Sequence, residues 1–144
     1  AEDAQGDGRM SAVPKPVAAA VDRRDEYACV RCGHSLAVSS GSRHHRQRRA
    51  VGGHHVANLV LLCGSGSTLC HGWVHANPAA ARAAGWIVAT WVKDPGDVPV
   101  QKWTGQEFGL QWCRLDDDGL AWVMSPVEAG RRMRALGVTT EGND

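Results

Sequence analysis

Cysteine and histidine are the reactive side chains that cluster most densely in this chain. There are five Cys and seven His, and all seven His and four of the five Cys fall between Cys29 and His75. Cys29-x2-Cys32-Gly33 is a knuckle. Two thiolates separated by two residues can bind one metal ion, and the glycine lets the backbone turn tightly around it. Cys63 and Cys70 form a second pair. Four thiolates give a closed tetrahedral zinc site, which is structural and not catalytic. The second pair is separated by six residues, Gly64 to Leu69, instead of the usual two. A Gly/Ser loop of that length can close; unrelated buried thiols are the alternative. An odd cysteine count packed among histidines argues against a disulfide framework. Cys113 lies in a candidate strand and reads as a core residue.

The histidines form a second pattern. His71 and His75 are four apart, so on a helix they project from one face and can share a metal. His44 and His45 are adjacent, so on a strand they point to opposite sides. One can then bind metal while the other stays free to take a proton. Arg43, Arg46, Arg48 and Arg49 surround them, either as phosphate contacts or as a solvated charge run. His34 reads as exposed. His54 and His55 read as surface or loop-packing residues, and one of them replaces His44 as a ligand if the register differs.

Several elements must position these groups. Residues 14–26 contain an alanine run and can form a helix that opens near Pro14, with a charged, solvated end at Asp22-Arg23-Arg24-Asp25. Asn77-Pro78 reads as an N-cap followed by Pro at the first helical position, and Gly85 suits the C′ position. Trp86 to Val92 is rich in β-branched and aromatic residues and is expected to be a strand. Val98 to Trp103, Leu110 to Leu115 and Leu120 to Met124 are further candidate strands, the last two joined by the turn Asp116 to Gly119. Ser125-Pro126 can cap a helix to Leu136, with Gly137 ending it. The tryptophans at strand spacing read as core.

At 144 residues and 15.4 kDa, with 43% hydrophobic and 22% charged residues, the composition is that of a soluble globular protein. No apolar run is long enough to span a membrane. No secretory signal is visible, so a cytoplasmic location is expected. The net charge of +1 excludes a uniformly basic nucleic-acid coat. It hides an uneven distribution. Residues 21–50 carry seven Lys/Arg against three Asp/Glu, whereas residues 94–118 carry six acidic residues against Lys102 and Arg114. Phosphate binding needs only the local basic patch.

Taken together, Cys29-Val30-Arg31-Cys32-Gly33, His44-His45-Arg46, Gly52-Gly53, Asn58-Leu59-Val60-Leu61-Leu62-Cys63-Gly64 and Cys70-His71-Gly72-Trp73-Val74-His75-Ala76-Asn77-Pro78 resemble the HNH endonucleases, most closely the bacteriophage-encoded type. The expected fold is α+β, and composition adds a strand-rich extension over 86–137 and tails at 1–13 and 138–144. The resemblance covers the chain from about Asp22 to Trp86 and implies a ββα-metal core, assigned to residues 14–85, with a structural zinc knuckle. It implies that the first strand ends at His44-His45, that Leu59 to Leu62 is the second strand, and that a helix from near Cys70 carries His71 and His75. It implies a catalytic divalent ion on His44, His71 and His75, with His45 as general base and Asn58 holding the base-bearing loop and orienting the imidazole. Arg43, Arg46, Arg48 and Arg49 would contact DNA. Cys29, Cys32, Cys63 and Cys70 would hold structural Zn²⁺. His44 stands where many members carry a carboxylate, which favours Zn²⁺, Ni²⁺, Co²⁺ or Mn²⁺ beside Mg²⁺. The implied activity is hydrolysis of DNA, with a phage terminase as a further partner and the bacterial host cytoplasm as the location. A non-catalytic zinc-finger DNA-binding module is the alternative; it leaves the histidines without a role.

Overall fold

Leu59 to Cys63 forms a strand buried along its whole length, which is why its sequence is an unbroken apolar run. The computed structural model containing it describes residues 12–36 and 41–138, so most of both expected tails lies outside the described residues. In chain order the elements are α1 (Lys15–Arg24), β1 (Gly41–His45), α2 (Arg49–Gly52), β2 (Leu59–Cys63), α3 (Leu69–Ala76), α4 (Pro78–Ala83), β3 (Val100–Trp103), β4 (Leu110–Leu115), β5 (Ala121–Val123) and α5 (Pro126–Ala135). The fold is mixed α+β with two small antiparallel sheets, β1-β2 and β3-β4-β5.

The two faces of β2 serve two different neighbours. Leu59 and Leu61 join Val21 and Val56 beneath α1. Val60 and Leu62 join Cys29, Cys63, Cys70, Val74, Trp86, Val100, Cys113 and Leu115 in the largest cluster. Each such side chain contributes about 1.5–3 kcal/mol when fully buried. That cluster draws on residues both before and after Trp86, so the C-terminal strands share a core with the cysteine-rich segment. Cys113 is buried there.

Three expectations from sequence are corrected. Residues 86–92 are not a strand. Their backbone groups are taken by non-strand partners: Val88 N–H donates to Arg46 O, the Trp86 carbonyl accepts from His44, and the Ala89 and Val92 carbonyls accept from Gln47 Nε2. The end of α1 is not a solvated charge run either. Arg24 and Asp25 are buried, in a bidentate pair that also bonds Val56 O, Leu59 O and Leu61 N–H on or beside β2. Asn77 stands at the N-cap of α4 with Pro78 in the first turn, as expected, but its side chain makes no capping bond; its Nδ2 donates back to Trp73 O and closes α3 instead. Gly85 lies at φ 82°, as its C′ position requires. Ser125 caps α5 by accepting from Glu128 N–H.

Candidate functional site

The knuckle and the second cysteine pair meet. Cys29, Cys32, Cys63 and Cys70 have their Sγ atoms all within 4.8 Å of one another, and none is in a disulfide. A tetrahedral zinc site with Zn–S bonds of about 2.3 Å has S···S edges of about 3.8 Å. Cys32 Sγ and Cys63 Sγ lie 3.8 Å apart. The four thiols could therefore hold a metal such as zinc. Gly33, at φ 81°, makes the knuckle turn; a Cβ there would collide with the Trp103 ring, so only glycine fits. The six-residue insert closes because Gly64 takes φ 86°, Leu69 takes φ 52°, and Thr68 Oγ1 accepts from Ser65 N–H. Burial pushes the Cys70 thiol up, opposed by a hydrogen bond from Arg31 Nη1 at 3.3 Å. Arg31 in turn stacks 3.8 Å over the Trp73 ring.

The second cluster lies one residue further along α3. His44 is on β1, and His71 and His75 are on α3, one helical turn apart. One nitrogen from each lies within 4.8 Å of the others. Hydrogen bonds fix the tautomers of two of them. His44 Nε2–H donates to Trp86 O at 2.7 Å, which leaves the Nδ1 lone pair free. Ser42 Oγ donates to Gly64 O, so it accepts from His71 Nδ1–H at 2.5 Å and leaves Nε2 free. The two lone-pair nitrogens, His44 Nδ1 and His71 Nε2, face each other at 3.2 Å. Two acceptors that close repel unless a cation lies between them. Tetrahedral Zn–N bonds of about 2.05 Å set nitrogens about 3.3 Å apart, so the spacing fits an ion. Burial pushes His44 down to about 3 and also lowers His71, so both imidazoles are neutral at neutral pH, the form that could bind a metal.

Ser42 escaped the sequence reading, although it lies two residues before His44 on the same face of β1. Its hydroxyl joins the carbonyl after Cys63 to a histidine of the trio. Ser42→Ala is expected to weaken the affinity of the histidine cluster for added Co²⁺ by about 10–100-fold, the usual cost of losing an outer-shell partner. Absorbance titration with the cysteine cluster zinc-filled measures it; unchanged affinity contradicts the assigned tautomer.

His45 points away from the trio, as adjacent strand residues must. Its Nε2 lies 3.1 Å from His54 Nδ1. Burial, then repulsion from Arg49, His54 and His71, pushes it down to about 4, so it is a neutral proton acceptor at neutral pH. His54 is a partner with no periodic signal to mark it in the sequence. Asn58 is fully buried, and its side-chain amide bonds backbone groups. Its Oδ1 accepts from Gln47 N–H, and its Nδ2 donates to Gln47 O and Gly53 O, so it braces the loop after His45.

The four arginines separate. Arg46 cannot reach DNA: it is 1% exposed and donates to the carbonyls of Gly85, Ala57, Pro95 and Val98 at 2.6–3.1 Å. It is a buried strut. Arg43 is paired with Asp22 at 2.6 Å on the opposite face of β1 from His44, so its charge is neutralised away from the cluster. Arg48 lines a groove of about 500 Å³ with His44, His45 and His75. Arg49 lies near His45 and keeps two buried donors, Nε and Nη1, without a hydrogen-bond partner among the described residues. Unpaired buried guanidinium donors beside a proton acceptor suit an oxyanion ligand. The chain matches no family model, no curated protein and no solved structure.

Proposed function

We propose that this protein is a metal-dependent endonuclease of the HNH type, hydrolysing DNA phosphodiester bonds. The observation that carries the reading is the facing pair of lone-pair nitrogens, His44 Nδ1 and His71 Nε2, beside a separate neutral imidazole, His45. The order antiparallel pair, then helix, with the trio on β1 and α3, supports a ββα-metal core. A divalent ion on His44, His71 and His75 would polarise the phosphate and neutralise charge on the leaving 3′ oxygen.

The remaining steps belong to the chain's own residues. His45 accepts a proton from the attacking water, and His54 holds its ring. Asn58 keeps the loop from Gln47 to Gly53 in place, and with it the position of Arg48 and Arg49. Arg49 donates to phosphate oxygens through the N–H groups that have no partner among the described residues. Arg48 holds the flanking backbone. The four thiols would hold a structural zinc, which would fix the start of α3. A phage terminase is a proposed partner on family resemblance alone.

Supercoiled plasmid incubated with the protein and Mn²⁺, Co²⁺, Ni²⁺ or Zn²⁺ is expected to convert to nicked or linear forms, with Mg²⁺ less effective. Chelation should stop the conversion, and rising salt should slow it steeply. Intact plasmid with every ion would sink the reading.

A further inference from the structure

The groove beside the histidines has an apolar wall that hydrolysis does not use. It is built by residues 87–91 and ends in Trp91, which is 62% exposed. The sequence reading placed tryptophans in the core; Trp91 departs from that. The turn that carries it is braced. Val92 N–H donates to Ala89 O at 3.2 Å, and Gln47 Nε2 donates to Ala89 O and Val92 O at 3.0 and 2.8 Å. Gln47 is itself 1% exposed and only two residues beyond His45. A Cβ at Gly137 would touch the Trp91 ring at 3.4 Å, so the ring edge rests on the backbone just beyond α5. The indole is thus presented to solvent by a fixed turn.

Arg48 and Arg82 also line this groove, and among the described residues no Asp or Glu does. An aromatic face next to arginines matches a ligand that joins a flat apolar ring to an anion, which is the chemistry of a nucleotide. Bases inside a duplex already stack on their neighbours, so only an unpaired base offers a free face. We infer that Trp91 is a stacking subsite for an unpaired nucleobase, which directs the protein to single-stranded or locally opened DNA. The inference rests on the nuclease reading and names its substrate form.

Fluorescence anisotropy tests it, with a labelled single-stranded oligothymidine and a duplex of equal length, without added divalent ion. Trp91→Ala is expected to weaken single-strand binding by about 5–150-fold and to change duplex binding by less than about twofold, with Trp91→Phe retaining most of the affinity. Single-strand binding by Trp91→Ala equal to wild type overturns the inference. So does an equal loss on both DNA forms, or a loss in Trp91→Phe as large as in Trp91→Ala. Wild type that binds neither form sinks the nuclease reading as well.

Discussion

His45→Ala is expected to slow DNA cleavage by about 10²–10⁴-fold, the usual contribution of a positioned general base. The effect should be on turnover. His45 gives no nitrogen to the cluster of His44, His71 and His75, so metal binding at both sites should stay as in wild type. The substitution removes a half-buried side chain at the end of β1, opposite Leu59, and leaves the strand pairing intact. Its near neighbour provides the contrast. His44→Ala removes one of the two facing nitrogens and should lower metal affinity and cleavage together. Cleavage rates at saturating ion, read beside metal content, separate the two outcomes.

The second large effect is on stability. Metal binding at structural zinc sites is worth about 10–16 kcal/mol in model peptides. Whole domains are stable by about 5–15 kcal/mol. Cys32→Ala is the cleanest probe, because Cys32 is the exposed member of the four and its loss leaves little cavity. The melting temperature should fall by more than about 10 °C, or cooperative melting should vanish. Removal of zinc from wild type by a strong chelator should act the same way. The histidine cluster should fail with it, because Cys70 and His71 are consecutive and Gly64, after Cys63, holds Ser42 against His71. Calorimetry with metal analysis checks this; unchanged melting with one zinc still bound contradicts it.

Spacing carried much of the site. The Cys-x2-Cys knuckle and the four-residue step from His71 to His75 are local geometry, and both survive in three dimensions. The strand at Leu59 to Leu62 is implied by the family resemblance, and its burial on both faces explains why the run shows no polar alternation. Features set by tertiary context were less legible. Arg46 has the same side chain as Arg48, and only the carbonyls converging on it make it a strut. Residues 86–92 have strand composition, but the side chains of His44 and Gln47 occupy their carbonyls. His54 reaches His45 through an irregular loop, which has no period to read.

A neutral His45 working beside an ion held by other histidines is the core of the proposed mechanism. Plasmid cleavage by wild type and His45→Ala, side by side across the divalent-ion panel at equal metal loading, tests it most directly. Ion-dependent cleavage by wild type and at least about a hundredfold slower cleavage by the variant are expected. Equal rates for the two proteins would contradict it.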